Sequence, residues 1–258
     1  MLSYLLSSLM VIAAPSSSPP QGSDSTLARA VVLCDTRHLD PRNLDQSAQL
    51  LDQVLKADPK RVKALSERSR VCYFLARGVG SKKEKLKLYQ QGMALGKKAI
   101  SWDPHSASAH FWYLVNLGAS AKTKENWCAL NAVGEIEREL GEVLKDDPGS
   151  PAALDVEANL FYELPGLCGG DLGKSLADLT RAVQTDSSFT RLYVDLAKVY
   201  IKKKDYGRAR GYLTKVLEFR SPTYPADYIL DDRPTATKLL HEIEGKGYKA
   251  LRDQTFMR

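Results

Sequence analysis

Apolar residues recur at spacings of three and four from Leu27 onward. This spacing places side chains on one face of an α-helix. No stretch alternates apolar and polar residues for long enough to predict a β-strand. The hydrophobic pattern therefore predicts an all-α fold over residues 27–258.

The helical pattern is interrupted at regular places by residues that end helices. Asp-Pro occurs at Asp58-Pro59, Asp103-Pro104 and Asp147-Pro148, and Asp186-Ser187 takes the same place once more. Before each interruption, and again before Ser221-Pro222, two small or apolar residues lie seven positions apart on one helix face. A neighbouring helix can approach closely at such sites. The pairs are Ala48 with Leu55, Gly92 with Ala99, Ile136 with Val143, Ser175 with Ala182, and Ala209 with Val216.

Helix pairs punctuated in this way are typical of the tetratricopeptide repeat, in which the pairs stack into a solenoid. The step from Ser175 to Ala209 is 34 residues, the standard length of this repeat. The three earlier steps are longer, at 44, 44 and 39 residues. Because the surplus falls where the first helix of each pair turns into the second, the sequence predicts a solenoid with lengthened intra-repeat turns. These turns are residues 76–85, 117–126 and 163–171.

The third of these turns, ELPGLCGGD at residues 163–171, has the composition of a phosphate cradle, a redox loop or a structural turn. It lacks the Lys-Ser/Thr ending of a P-loop, no predicted strand precedes it, and the chain contains no CxxC motif. We therefore interpret it as a structural turn. Pro165 is predicted to end a helix, Gly169 and Gly170 to supply positive φ angles, and Asp171 to cap the next helix.

Four further features have a recognisable order and spacing between roughly residues 40 and 220. They are VCYFLARG with SAHFWYLVNLG, NAVGEIERELGEVLKDDPGSPAAL, ELPGLCGGDLGKSLADLTRAV, and KKKDYGRARGYL. Together they resemble the TRAP transporter T component family, periplasmic tetratricopeptide proteins found beside bacterial solute-uptake systems. The resemblance also extends to eukaryotic microtubule-regulating proteins with similar repeats. It implies a periplasmic helical protein without catalytic residues that can oligomerise and associate with a solute-binding protein.

The chain starts with an apolar run, residues 1–14, followed by a stretch rich in Ser and Pro. The run is too short to span a bilayer and fits the hydrophobic region of a signal peptide. We expect a signal peptide at 1–14, a disordered linker at 15–26, and a helical-repeat domain at 27–258 with about five helix pairs and a C-terminal capping helix. The mature chain is then periplasmic or secreted, without a transmembrane helix. No Cys lies near the cleavage point, so no lipid anchor is expected.

Export would permit disulfide bonds among the four cysteines. Sequence alone does not choose among their three pairings. If the helices alternate in direction, Cys34 and Cys72 lie toward one edge of successive first helices, and Cys128 and Cys168 lie near that same edge. This geometry permits the bridges Cys34–Cys72 and Cys128–Cys168. The alternative is four buried thiols that pack as small hydrophobic residues.

The sequence contains no combination of residues that predicts catalysis. GxSxG and HExxH motifs are absent, and the histidines are scattered at His38, His105, His110 and His241. Nucleophilic catalysis and metal binding both need such groups at defined spacings. The formal charge of +6 permits anionic partners, but no nucleic-acid-binding motif accompanies it. We expect no enzymatic activity, no metal or cofactor, and no nucleic-acid partner.

Lysines cluster in the predicted turns, which alternating helices would place on one edge of the solenoid. One explanation is that cations favour helix C-termini and that loops stay hydrated. The functional hypothesis is a basic edge that attracts an acidic protein or an anionic surface. Its candidate partner-binding residues are Lys82, Lys83, Lys85, Lys122, Lys124, Lys202, Lys203 and Lys204.

Aromatic residues recur at equivalent points of the predicted first helices, which usually line the concave groove of a solenoid. They are core residues by default and groove contacts by hypothesis. The favoured function is a non-enzymatic protein-interaction scaffold, acting as an accessory component of a TRAP-type uptake system. The alternative is a carrier of a hydrophobic small molecule in an apolar cavity, alone or within a homo-oligomer. The candidate groove aromatics are Tyr73, Phe111, Trp112, Tyr113 and Tyr162.

Overall fold

A computed structural model describes residues 21–125 and 132–255. Within these ranges the regular structure is helical, which confirms the all-α prediction. The helices are α1 (Gln21–Asp35), α2 (Asn43–Ala57), α3 (Val62–Gly78), α4 (Lys82–Trp102), α5 (Ala107–Lys124), α6 (Ala132–Asp146), α7 (Pro151–Glu163), α8 (Leu172–Thr185), α9 (Thr190–Lys202), α10 (Tyr206–Glu218), α11 (Pro225–Asp227) and α12 (Arg233–Thr255). A π-helix, Tyr228–Asp232, joins α11 to α12.

Successive helices pack as pairs, α1 with α2 through α9 with α10, and the pairs stack on one another. The first helices of neighbouring pairs also touch, because α1 contacts α3, α3 contacts α5, and α7 contacts α9. Helices α1, α3, α5, α7 and α9 therefore lie on one face of the stack. We call this the concave face. The helical-repeat solenoid predicted from the sequence is confirmed.

The five small-residue sites predicted from the sequence are all buried between helices. Ala48 and Gly92 are buried in α2 and α4, and Ile136, Ser175 and Ala209 are buried in α6, α8 and α10. Because a small side chain lets two helix backbones approach, burial of Ala48, Gly92, Ser175 and Ala209 explains close stacking in four repeats, and Ile136 is the larger apolar residue at this site in α6.

Helices α4 and α5 approach each other closely at Gly96. A Cβ atom added at Gly96 would lie 2.8 Å from the Cβ and 2.9 Å from the Cα of Tyr113. One turn earlier, Ser69 Oγ donates a hydrogen bond to the carbonyl of Gly92 at 2.8 Å. Asn116 Nδ2 donates to the carbonyl of Ser69 at 3.1 Å and to that of Trp112 at 2.8 Å. This buried polar cluster joins α3, α4 and α5 where no side chain fits at Gly92.

The predicted lengthening of the first turn is wrong. Only residues 79–81 separate α3 from α4, and the extra residues extend the helices instead. Ser81 Oγ caps α4 by accepting from the Glu84 N–H at 3.4 Å, so the lysines that follow are helical. The second predicted turn, 117–126, is helical as far as Lys124. The third turn is long, because residues 164–171 separate α7 from α8.

The turn at 163–171 is structural, and its residues act largely as predicted. Gly169 has φ 97°, in the left-handed region, and the Asp171 carboxylate caps α8 by accepting from two N–H groups at 2.7 and 3.1 Å. Pro165 follows the end of α7. The prediction for Gly170 is wrong in its reason, because this residue has no positive φ. Glycine is needed there because a Cβ would lie 1.9 Å from the carbonyl oxygen of Leu164.

The N-terminal boundary also differs from the prediction. Helix α1 begins at Gln21, so the second half of the expected disordered linker, residues 21–26, is helical. The run Asp24–Leu27 already belongs to a helix that buries Leu27 and Ala30. The predicted signal peptide lies outside the described residues. Within the described part of the chain, no helix is both long and apolar enough to cross a membrane.

The predicted Cys34–Cys72 bridge is wrong, because both thiols are free and buried. Arg68 donates a hydrogen bond to the Sγ of Cys72 at 3.1 Å. The cation that acts most strongly on Cys34 is Arg70. Arg70 and Cys72 are two residues apart on α3 and so point to different sides of that helix, which keeps the two thiols apart. Burial raises the pKa of Cys34 to about 11. Cys128 lies outside the described residues, so the Cys128–Cys168 bridge stays a prediction.

After the last repeat, residues 221–232 run back across the stack; we call them the crossing segment. Near its start, the N–H of Thr223 donates to the carbonyl of Ser188 at 3.0 Å. Farther along, Asp227 contacts Arg37, which lies beyond the end of α1. The segment thereby joins the last pair to the first. Helix α12 then packs against α10.

Candidate functional site

The concave face holds a cavity of about 490 Å³. Most of its walls come from α3, α5, α7 and α9, with smaller contributions from α4 and α6, and Asp227 of the crossing segment lies at one side. Cavities of this size are typical of small-molecule sites and of pockets that receive side chains of a partner. We therefore take this cavity, called the groove below, as the candidate functional site.

One end of the groove is aromatic. The ring of Trp112 lies 6.1 Å from that of Tyr73, 5.9 Å from that of Phe74 and 5.1 Å from that of Phe111. The Arg37 guanidinium lies 3.7 Å from the centre of the Phe74 ring. Aromatic rings pack against apolar groups, and their faces attract cations.

Three of the five predicted groove aromatics line the groove, namely Tyr73, Phe111 and Trp112. Tyr113 does not, because it lies buried against α4 and its hydroxyl donates to Glu135 at 2.5 Å. Burial, aided by this hydrogen bond, raises the pKa of Tyr113. Tyr162 also lies outside the groove wall, with the ammonium of Lys202 4.5 Å from its ring centre. The placement of these two residues in the groove was therefore wrong.

The other end of the groove is polar. Asn159 Nδ2 donates to Asp155 at 3.2 Å and to Asp195 at 3.1 Å, and Lys198 donates to Asp195 at 2.6 Å. Burial and the neighbouring charge of Asp195 raise the pKa of Asp155 well above its usual range. Burial opposes ionisation of Asp195, but Lys198 and Arg191 hold its pKa down at about 2. One carboxyl of the pair is thus held ionised, and the other favours its protonated form.

Residues of the predicted basic edge lie close together at the ends of several helices. Lys82 lies 3.7 Å from Glu125, Lys122 contacts Glu163, and Lys202 donates to the carbonyl of Tyr162 at 2.6 Å. These contacts link the start of α4 with the ends of α5, α7 and α9. Two edge lysines, Lys85 and Lys122, also line the groove, so the edge and the groove form one continuous surface. The remaining candidates are exposed: Lys83, Lys124, Lys203 and Lys204.

Sequence reasoning missed the polar side chains of the groove. Asp155, Asn159, Arg191, Asp195 and Lys198 lie on α7 and α9 and line it. The signal that could have found them is the occurrence of charged residues on the otherwise apolar faces of two first helices. Their partners are set by how the repeats stack, which local periodicity does not give.

The chemistry of the groove favours binding. Among the described residues, no cluster of His, Cys, Asp and Glu has the arrangement of a metal site. His110 lies away from the groove, buried between Glu139 at 2.5 Å and the carbonyl of Pro104 at 2.9 Å. The groove itself offers an apolar aromatic end, a polar end with both signs of charge, and an open basic edge. A ligand with apolar and charged groups in sequence would satisfy all three.

Comparison with known proteins shows a tetratricopeptide-like fold. The family described as "Regulator of microtubule dynamics protein 1-3" matches residues 32–153, somewhat under half of the chain. No curated protein matches the sequence.

Solved structures of tetratricopeptide proteins share the fold. A thermophilic TPR protein of Thermus thermophilus is 17% identical with a TM-score of 0.63, over 83% of this chain and 98% of its own. PilW, a type IV pilus biogenesis factor, is 17% identical with a TM-score of 0.57, over 93% and 100%. PilF of Pseudomonas aeruginosa is 16% identical with a TM-score of 0.52, over 92% and 99%. At these identities the likeness is one of fold.

Proposed function

We propose that the protein is a non-enzymatic scaffold that binds a segment of another protein in its groove. The observation that carries this is the continuity of the aromatic end, the polar end and the basic edge on one concave face. A rigid stack of helix pairs presents such a face without rearrangement, which lowers the entropic cost of binding. The basic edge would steer an acidic partner toward the groove.

The resemblances seen in the sequence narrow the proposal. If the chain acts as a T component, the partner is the solute-binding protein of an uptake system, and the expected export places both in the periplasm. The family matched over residues 32–153 is described by regulation of microtubule dynamics, which makes microtubules the second named partner to test. Purified solute-binding protein and assembled microtubules are therefore the two probes of choice.

Replacing Trp112 with Ala is expected to weaken partner binding by at least about tenfold, because buried aromatic residues dominate interface energies. Trp102 is a matched control, since it is 46% exposed on α4 and lies outside the groove. Trp102→Ala should leave binding unchanged. The measurement is the dissociation constant of each probe by surface plasmon resonance, with circular dichroism to verify folding.

Replacing Lys202, Lys203 and Lys204 with Gln should weaken the same binding at low salt and have little effect at high salt. A partner whose affinity is equal for wild type, Trp112→Ala and the lysine variant does not use this face. That result would contradict the proposal.

A second candidate is a carrier of a hydrophobic small molecule, favoured by the volume and aromatic lining of the groove. Native mass spectrometry of the purified full chain tests it. A carrier would retain an apolar molecule at one copy per groove, and Trp112→Ala would lose it. A preparation without any bound molecule that still binds a protein probe would favour the scaffold.

A further inference from the structure

Three carboxylates of the crossing segment form ion pairs with three arginines of the stack. Asp227 contacts Arg37, and Asp231 contacts Arg77. Asp232 lies 2.8 Å from Arg191 and accepts a hydrogen bond from Thr190 at 2.7 Å. The arginines come from different parts of the stack: the turn after α1, the last turn of α3 and the first turn of α9.

These arginines have no other ion-pair partner among the described residues. Every ion pair that Arg37, Arg77 and Arg191 make goes to the crossing segment, and none goes to the five helix pairs. Their side chains are only 4%, 33% and 20% exposed. A stack without the segment would thus present three partly buried arginines that have lost their ion-pair partners, although the Asp195 carboxylate still acts on Arg191. Such cations are an anion-binding surface, and the segment occupies it as a ligand would.

Burial varies along the crossing segment. Ala226 and Tyr228 are buried, and Asp232 is fully buried. In contrast, Ile229 and Leu230 are 46% and 48% exposed, and the carboxylates of Asp227 and Asp231 each retain 22% exposure. The five residues around these positions form a π-helix, a rare conformation found often at functional sites. The Arg77–Asp231 pair, with both side chains partly exposed, is therefore the one most accessible to a competing carboxylate.

We propose that Arg37, Arg77 and Arg191 form a docking site for an acidic helical segment of a partner protein, and that the crossing segment is its intramolecular occupant. The partner's carboxylates would follow the spacing of Asp227, Asp231 and Asp232, at positions i, i+4 and i+5. This inference rests on the proposed function and names the partner's chemistry. Since Asp227 also lines the groove, a segment docked there would continue into the aromatic end.

Because the crossing segment already occupies the three arginines, an external acidic segment has to compete with it for them. A tethered segment acts at an effective concentration of about 1 mM, so an external segment meets mostly occupied arginines. The apparent affinity falls in proportion to the fraction of molecules in which the site is open. Weakening the ion pairs of the crossing segment should therefore strengthen binding of an external acidic segment.

A peptide copy of the crossing segment tests this directly. The probe is a fluorescent peptide of residues 221–233, SPTYPADYILDDR, titrated with full-length protein and followed by anisotropy. The control peptide carries Asn in place of the three Asp. The protein variants are D227N/D231N, which frees Arg37 and Arg77, and D45N, which removes an exposed carboxylate of α2 that lies outside the ion pairs of the segment.

The peptide is expected to bind D227N/D231N at least about tenfold more tightly than wild type or D45N, and the Asn peptide to lose that gain. Equal, weak binding of the peptide to wild type and to folded D227N/D231N would overturn the inference. It would show that the crossing segment is a permanent part of the fold that a partner does not displace. If the double variant fails to fold, D231N alone must show the same direction of change. Retained sensitivity of partner binding to Trp112→Ala would show that the proposed function survives such a failure.

Discussion

Gly96→Ala is expected to lower the free energy of unfolding by about 2–3 kcal/mol. Replacing a glycine with alanine at an exposed helix position would normally raise the free energy of unfolding by about 1 kcal/mol. The sign reverses here because the new Cβ would lie 2.8 and 2.9 Å from the Cβ and Cα of Tyr113. The Cα belongs to the backbone of α5, so α4 and α5 must move apart, and the buried contacts along both helices weaken.

The matched control is Gly211→Ala in α10. Gly211 is also a helical glycine, but it is exposed and an added Cβ would meet no atom within 4 Å. This variant should gain about 0.5–1 kcal/mol. Guanidinium unfolding followed by circular dichroism measures both. If Gly96→Ala is as stable as Gly211→Ala, the helices do not approach as closely as described, and the explanation of the stack by small-residue contact is wrong.

Arg191→Met is expected to lower the free energy of unfolding at pH 7 by about 3–5 kcal/mol, because it leaves a buried carboxylate without its cation. Asp232 is fully buried, and the Arg191 guanidinium lies 2.8 Å away. The double variant Arg191→Met/Asp232→Asn removes that charge as well and should recover part of the loss, because the buried Asp195 still lacks Arg191. Arg208→Met, at an exposed pair with Asp205, is the matched control and should be close to wild type.

The loss should depend on pH in a defined direction. Burial raises the pKa of Asp232 from 3.8 to about 6, although Arg191 and Thr190 act to lower it. A carboxyl whose pKa is raised by folding contributes stability at low pH, and this contribution disappears as the pH rises from about 4 through about 6. Without Arg191 the pKa of Asp232 rises further, so the deficit of Arg191→Met should grow between pH 5 and pH 8. A deficit that shrinks over this range would mean that Asp232 is not the group left uncompensated.

The fold was predictable because its causes are local. Helical periodicity and helix-ending residues mark each pair, and Gly92, Ser175 and Ala209 mark where helices touch. The location of the surplus residues was less predictable, because a longer repeat step does not show whether a turn or a helix is extended. The sequence did hold a signal: Ser81 and Glu84 form the Ser-x-x-Glu pattern of a helix start, which places the following lysines in α4.

The candidate site was predictable only in part. The repeat positions correctly predicted that Tyr73, Phe111 and Trp112 line the groove. Tyr113 is one residue further along α5, and the helical rotation places it in the core instead. The arginine contacts of the crossing segment join residues 154 and 190 positions apart. Contacts at that separation depend on how many pairs stack and how the stack curves, and no local pattern encodes either.

Binding of a partner segment in the groove is the central claim, and site-specific photo-crosslinking tests it most directly. A benzoylphenylalanine would replace Trp112 in the groove or Trp102 outside it, in the full-length protein, with purified solute-binding protein or microtubules as the probe. We expect a covalent adduct from position 112 and none from position 102. Adducts from position 102 alone, or equally from both, would contradict the claim.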